Sequence, residues 1–148
     1  MILIAHRGNM DGPNPGQEND PVYIKGALEK GYEAEIDVWL LENNWWLGHD
    51  KPTYQVEDSL FRNKGLWCHA KNVEALEKLV TLSWVNCFWH QSDDCVVTSK
   101  KYIWTFPGKP LTMNSIAVMP ENTQDQDLSK VAGICTDYVE KYQKLYQK

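Results

Sequence analysis

Residues 33–50 run Glu-Ala-Glu-Ile-Asp-Val-Trp-Leu-Leu-Glu-Asn-Asn-Trp-Trp-Leu-Gly-His-Asp, an apolar segment carrying two carboxylates, then a polar turn, a second apolar segment and a Gly-His-Asp tail. In an extended strand, side chains two apart share a face, so Glu35 and Asp37 point one way while Ile36 and Val38 point the other. Two anions side by side repel unless a cation lies between them, and a hard divalent metal is the usual partner. Glu42-Asn43-Asn44 is a turn that folds Trp45-Trp46-Leu47 back beside the first segment and carries His49 toward the carboxylates.

On the N-terminal side, Ile2 to Ala5 is a continuous apolar run suited to a strand buried on both faces, and His6-Arg7-Gly8 stands at its end. Residues 9–19 are rich in Gly, Pro, Asn and Asp and read as a loop. Asp20 is placed to cap a helix with Pro21 at its first position, running to about Lys30 with Val22, Ala27 and Leu28 as apolar contacts, and Gly31 ends it. Strand, helix and strand make a βαβ unit with parallel strands. On the C-terminal side, 56–63 reads as a short helix and 66–71 as a strand whose alternation puts His69 and Lys71 on one face. Asn72 caps a second helix with Val73, Leu76, Leu79 and Val80 at helical spacing. Further strands are predicted over 84–90, 95–98, 102–106, 115–119 and 133–136, with a polar loop and helical turn over 121–130. Tyr138, Tyr142 and Leu145 keep a helical period to the C-terminus. The regular βα alternation lapses after His90, where no helix-length segment separates the strands.

The 148 residues suffice for one domain, 1–148, with a core of its own, since 43% hydrophobic and 24% charged is ordinary globular composition. A net charge of -5 offers no basic footprint, so nucleic acid is not an expected partner. No apolar run reaches the length of a membrane span, and the first residues lack the basic start and apolar length of a signal peptide, so a cytoplasmic location is expected. The oligomeric state is not legible. Cys68, Cys87, Cys95 and Cys135 show no CxxC spacing and read as buried thiols.

Ile-Ala-His-Arg-Gly at 4–8, Glu18-Asn19, Glu35-Ile-Asp37 and Gly48-His49-Asp50, in that order and at these gaps, resemble the signature of glycerophosphodiester phosphodiesterases. Ala-Gly-Ile-Cys-Thr-Asp-Tyr at 132–138 is similar to that family's final barrel strand. The resemblance implies a TIM barrel, acid-base roles for His6 and His49, and a divalent metal on Glu35 and Asp37. The chain departs from the pattern in two ways. His69 stands where family members carry a third metal-binding glutamate, two residues before Lys71. The length also falls below the 200 or so residues that a full barrel needs. The expected fold is therefore α/β, a TIM-barrel-like parallel (β/α) barrel, trimmed or distorted, with helices missing after strand four.

Hydrolysis of a phosphodiester requires the anion to be neutralised, a nucleophile deprotonated and a leaving oxygen protonated. A cation on Glu35 and Asp37, with His6 and His49 as acid and base, meets those needs. Mg²⁺ or Ca²⁺ suits the carboxylates. His69 either adds a nitrogen ligand, which moves the preference toward Mn²⁺, or stands off and leaves a two-carboxylate site. Arg7 and Lys71 supply positive charge to the phosphate, and Glu18 is a further substrate-side candidate. Each of these residues also has a plainer reading. Arg7 pairs equally well with Glu35 or Glu18, Glu18 braces its loop, His90 is a rim residue, and Asp137 caps the last helix. The seven tryptophans fall mostly on strand-like runs and read as core, although Trp39, Trp45 and Trp46 lie close enough to the site to line it. The expected activity is a metal-dependent phosphodiester hydrolase acting on a small glycerophosphodiester-like substrate. The alternative is a degenerate barrel that binds a phosphorylated ligand or partner without catalysis.

Overall fold

The computed structural model describes residues 1–124 and 126–146. In chain order it forms β1 (Ile2–His6), α1 (Pro21–Glu29), β2 (Glu33–Leu41), β3 (Asn44–Leu47), β4 (Tyr54–Val56), a 3-10 turn over Asp58–Arg62, and β5 (Leu66–Ala70). It continues with α2 (Val73–Thr81), β6 (Asn86–Phe88), β7 (Cys95–Val97), β8 (Ile103–Thr105), β9 (Ser115–Val118), a 3-10 turn over Pro120–Asn122, β10 (Gly133–Thr136) and α3 (Val139–Tyr146).

Local chemistry accounts for the helix starts. The Asp20 carboxylate accepts the Val22 N–H at 2.8 Å, satisfying one of the donors a helix N-terminus leaves open, and Pro21 takes the first position, where its missing N–H costs nothing. Asn72 accepts from the Ala75 N–H and also exchanges two hydrogen bonds with the Leu40 backbone, so the cap of α2 is fastened to β2. The buried faces differ from the sequence expectation in detail. Ile24 and Ala27 face the core in α1, and Ala75 and Leu79 do so in α2, while Val22, Val73 and Val80 are exposed. The short helix expected over 56–63 forms as a 3-10 helix over Asp58–Arg62, while Val56 ends a strand.

β1 lies between β2 and β10, parallel to both; β2 also pairs with β5 and β5 with β6, while β10 continues through β9 to β8, all parallel. Two antiparallel additions complete the sheet. β3 and β4 fold back from the end of β2, and β7 pairs antiparallel with β8. Among the described strands β6 and β8 do not pair, so the curved sheet stays open. The turn after β7 enters that seam, where Ser99 donates from its backbone N–H to Cys87 O at 2.9 Å, while its Oγ accepts from the Cys87 N–H and donates to Val85 O.

The architecture is therefore a mixed sheet curved into a half-barrel, with three short helices among the described residues, and the expected parallel (β/α) barrel is not what forms. The reason lies between β6 and β9. A (β/α) barrel needs a helix after each strand to return the chain on the outside. Here the β7–β8 connection is too short for one and reverses as a hairpin, and the β8–β9 connection is broken by Pro107-Gly108-Lys109-Pro110.

Alternation along the strands makes two layers. Ile36, Val38, Cys68 and Ala70 pack outward beneath α2, and Leu3, Ala5 and Ile134 pack beneath α1 and α3. Inside the curve, Ile4, Trp67, Phe88, Trp104, Ile116 and Cys135 form a floor. The next inward residues of β1, β2 and β5, toward their C-terminal ends, are polar. Cys68, Cys87 and Cys135 are buried and Cys95 is exposed; all four are free thiols. No helix among the described residues is long and apolar enough to cross a membrane.

Candidate metal centre and its cavity

His6, Arg7, Glu35, His49, His69 and Lys71 line one cavity of about 440 Å³ at the C-terminal ends of β1, β2 and β5. The strand phase read from the sequence places Glu35 and Asp37 inside, 2% and 0% exposed. Parallel register sets Asp37 beside His69 and Glu35 beside His6. One ligand atom each from Glu35, Asp37 and His69 lies within 4.8 Å of the other two. His69 Nδ1 is 3.2 Å from Asp37 Oδ1 and 3.7 Å from Glu35 Oε1, and Lys71 Nζ is 3.7 Å from the same Asp37 oxygen.

Two observations define the chemistry of this cluster. His69 Nε2 lies 2.8 Å from the carbonyl of His90, which can only accept, so the proton is on Nε2 and a neutral ring turns its Nδ1 lone pair toward the two carboxylates. Asp37 Oδ1 is buried with no hydrogen-bond partner among the described residues. A lone pair facing two anions, one of whose buried oxygens accepts no hydrogen bond, is an arrangement that a cation would relieve. A proton fills that place when no metal does. Burial lowers the His69 pKa, yet Asp37 and Glu35 outweigh it and push it up to about 9. Burial likewise works against an ionised Asp37, but His69, Arg7 and Asn19 hold its carboxyl well below the usual range. Histidine ligands that donate their other ring N–H to a backbone carbonyl are a regular feature of metal sites.

The loop after β1 builds the support. Asn19 donates to Asp37 Oδ2 at 2.9 Å and accepts the Asp37 N–H at 2.8 Å. The Arg7 backbone N–H donates to Glu35 Oε2, its Nη1 donates to Glu18 at 3.1 Å, and its Nε lies 3.2 Å from Asp37 Oδ2 without hydrogen-bond geometry. Arg7 and Asn19 have φ of 52° and 63°, a region non-glycine residues enter at some cost, and it tends to persist where surrounding contacts over-determine it. Glu18 is thus a brace for Arg7 and Asn9 and does not line the cavity. Arg7 faces the cavity while tied to both Glu18 and Asp37.

Both candidate acid-base histidines have a carboxylate on Nδ1. His6 Nδ1 is 2.8 Å from Asp137 Oδ1, and His49 Nδ1 is 2.8 Å from Asp50 Oδ1. In each the Nδ1 proton is fixed and Nε2 is left for exchange. His6 is enclosed, whereas the His49 side chain is 42% exposed.

Sequence reasoning missed Asp137, which accepts from His6 and Asn9 instead of capping α3, and whose own N–H donates to Glu121. The signal was non-local: a curved sheet sets its last strand against its first, and Thr136 pairs with Ala5, so the next residue reaches His6. The tryptophans read as core include Trp45 and Trp67, which are buried, but Trp39, Trp45 and Trp46 do not line the cavity as their nearness in sequence allowed. Trp45 packs on Phe61 in the core, Trp46 lines a separate surface hollow, and Trp39 donates to Gly48 O at 2.6 Å; Trp104 lines the cavity. His90 is at the rim, with its Nε2 bonded to Asp93 O.

Against known proteins, no family model matches the sequence, and neither a curated protein nor a solved structure matches the chain.

Proposed function

We propose that the chain is a metal-dependent phosphodiester hydrolase acting on a small glycerophosphodiester-like substrate. The observation that carries this reading is the Glu35–Asp37–His69 cluster, whose buried Asp37 Oδ1 accepts no hydrogen bond among the described residues, set in one cavity with two carboxylate-backed histidines. The motif likeness to glycerophosphodiester phosphodiesterases adds the substrate class. Glu35, Asp37 and His69 would hold the metal, and the imidazole in the set would favour a cation that accepts nitrogen, such as Mn²⁺, over Ca²⁺ or Mg²⁺. The chemistry supplied there by a bound divalent cation would be neutralisation of the phosphate charge.

The remaining steps belong to the chain's own groups. His6, oriented by Asp137, and His49, oriented by Asp50, take and give the protons at Nε2, one as base toward water and the other as acid toward the leaving alcohol. Lys71 places a point charge against the phosphate oxygens, while Arg7 fixes the carboxylates and adds positive potential. The test is hydrolysis of a panel of glycerophosphodiesters and a generic aryl phosphodiester, with and without divalent metal. Metal-stimulated release of alcohol from at least one member is the expected result. Tight binding of phosphorylated compounds without turnover of any diester would replace this reading with that of a phosphate-binding protein.

A further inference from the structure

The two walls of the cavity differ in chemistry. Opposite the charged wall, the ends of β8 and β9 and the segment after β6 contribute Trp104, Phe106, Val118, Met119 and His90, with Gln91 and Asn122 as polar neighbours. Phe106 is 45% exposed at the mouth, with its ring 5.7 Å from that of His90. Below them buried ring contacts support the wall, Trp104 to Phe88 at 4.4 Å and Phe88 to His69, stacked at 5.1 Å. Met119 is held at this wall in the left-handed region, φ 46°, by a 2.7 Å bond from its N–H to Cys135 O. A methionine adopts that conformation at a cost.

A phosphodiester carries two ester arms. With the phosphate against Lys71 and the metal ligands, at least one arm must cross toward the aromatic side. Two small polar arms would leave that wall wet, and a cavity of this volume has room for more. We infer that one ester arm of the substrate is a flat apolar group, aryl or heteroaryl, which packs on Phe106, His90 and Trp104. The inference rests on the phosphodiesterase reading for the position of the phosphate, and it specifies the alcohol which that reading leaves open.

The experiment compares glycerol phosphate diesters of benzyl alcohol and of ethanol, whose similar acidities keep the leaving-group chemistry nearly constant, with products monitored by phosphorus NMR. The benzyl diester should be preferred about tenfold in kcat/KM, the size of a good aromatic contact, and Phe106→Ala should bring the ratio close to one. Equal kcat/KM for the two diesters in the unsubstituted protein overturns the inference and leaves the phosphodiesterase reading standing. Should neither diester turn over, that reading falls, and calorimetric binding of benzyl and ethyl methylphosphonate decides the wall separately. About tenfold tighter benzyl binding, lost in Phe106→Ala, then supports it, and equal affinities overturn it.

Discussion

In the proposed metal site, His69 would set the charge and the metal preference. With Nε2–H committed to the His90 carbonyl, only Nδ1 meets the carboxylates, and a nitrogen in that place lowers the negative charge relative to a third carboxylate. His69→Glu should therefore strengthen Ca²⁺ and Mg²⁺ binding relative to Mn²⁺, measured by calorimetric titration of each metal. An unchanged order of affinities would show that His69 takes no part in holding a cation. His6 and Asp137 make a second, separable claim. Burial lowers the His6 pKa, but Asp137 and Glu35 leave it raised; burial raises that of Asp137, but His6 and Asn9 leave it lowered. A raised histidine stabilises the fold fully below its ordinary value of 6.5 and loses that contribution as pH climbs through the folded value. A lowered aspartate contributes above its ordinary 3.8 and loses it as pH falls through the folded value. The pair thus contributes most from about pH 4 to 6.5. Asp137→Asn should depress Tm most in that window, with the gap narrowing toward pH 8; a gap constant with pH would assign the contact to neutral hydrogen bonding alone. The pairing of Glu35 with Asp37 was legible because strand alternation is local. The pairing of His6 with Asp137 spans 131 positions and becomes visible only when the first and last strands meet.

The hairpin of β2 and β3 and the loop behind it deliver His49. Glu42 and Asn43 both have positive φ, the two-residue turn whose twist matches its strands, and this was legible in Glu42-Asn43-Asn44. Gly48 then makes the exit. Its φ is 150°, and a Cβ there would lie 2.0 Å from Lys51 O, a clash with backbone that no side-chain movement relieves. The Gly48 N–H also donates to Asp37 O at 3.1 Å and its carbonyl accepts from Trp39, so the loop is tied directly to β2. His49→Ala should lower turnover by roughly 10²–10⁴ with the fold intact, as expected for loss of an acid-base group. Gly48→Ala should approach the same loss with His49 still present. Full activity in Gly48→Ala, at unchanged circular dichroism, would mean that the loop does not position the histidine. The strand over 54–56 was not legible, since its pairing with β3 depends on where the loop turns back.

At the scale of the molecule, the chain keeps a polar inner rim on a parallel sheet without closing a (β/α) barrel. Strand identity was largely legible from apolar runs. Closure was not, because it depends on the connection that leaves each strand, and a motif likeness carried over an architecture that this length and the Pro-Gly-rich connections do not build. Ser99 bridges the open seam with three backbone contacts, so Ser99→Ala, which leaves the Cys87 N–H without its acceptor, should cost about 1–3 kcal/mol in denaturant unfolding. A loss below a few tenths would show the seam to be held by other contacts. The whole construction serves the cluster at its rim, and the most direct test is the rate of phosphodiester hydrolysis as Mn²⁺ is titrated into chelator-stripped protein, for the unsubstituted chain and for Asp37→Asn. The account predicts a rate that rises from near zero and saturates, with Asp37→Asn requiring far more metal and reaching a lower plateau; undiminished turnover in excess chelator would contradict it.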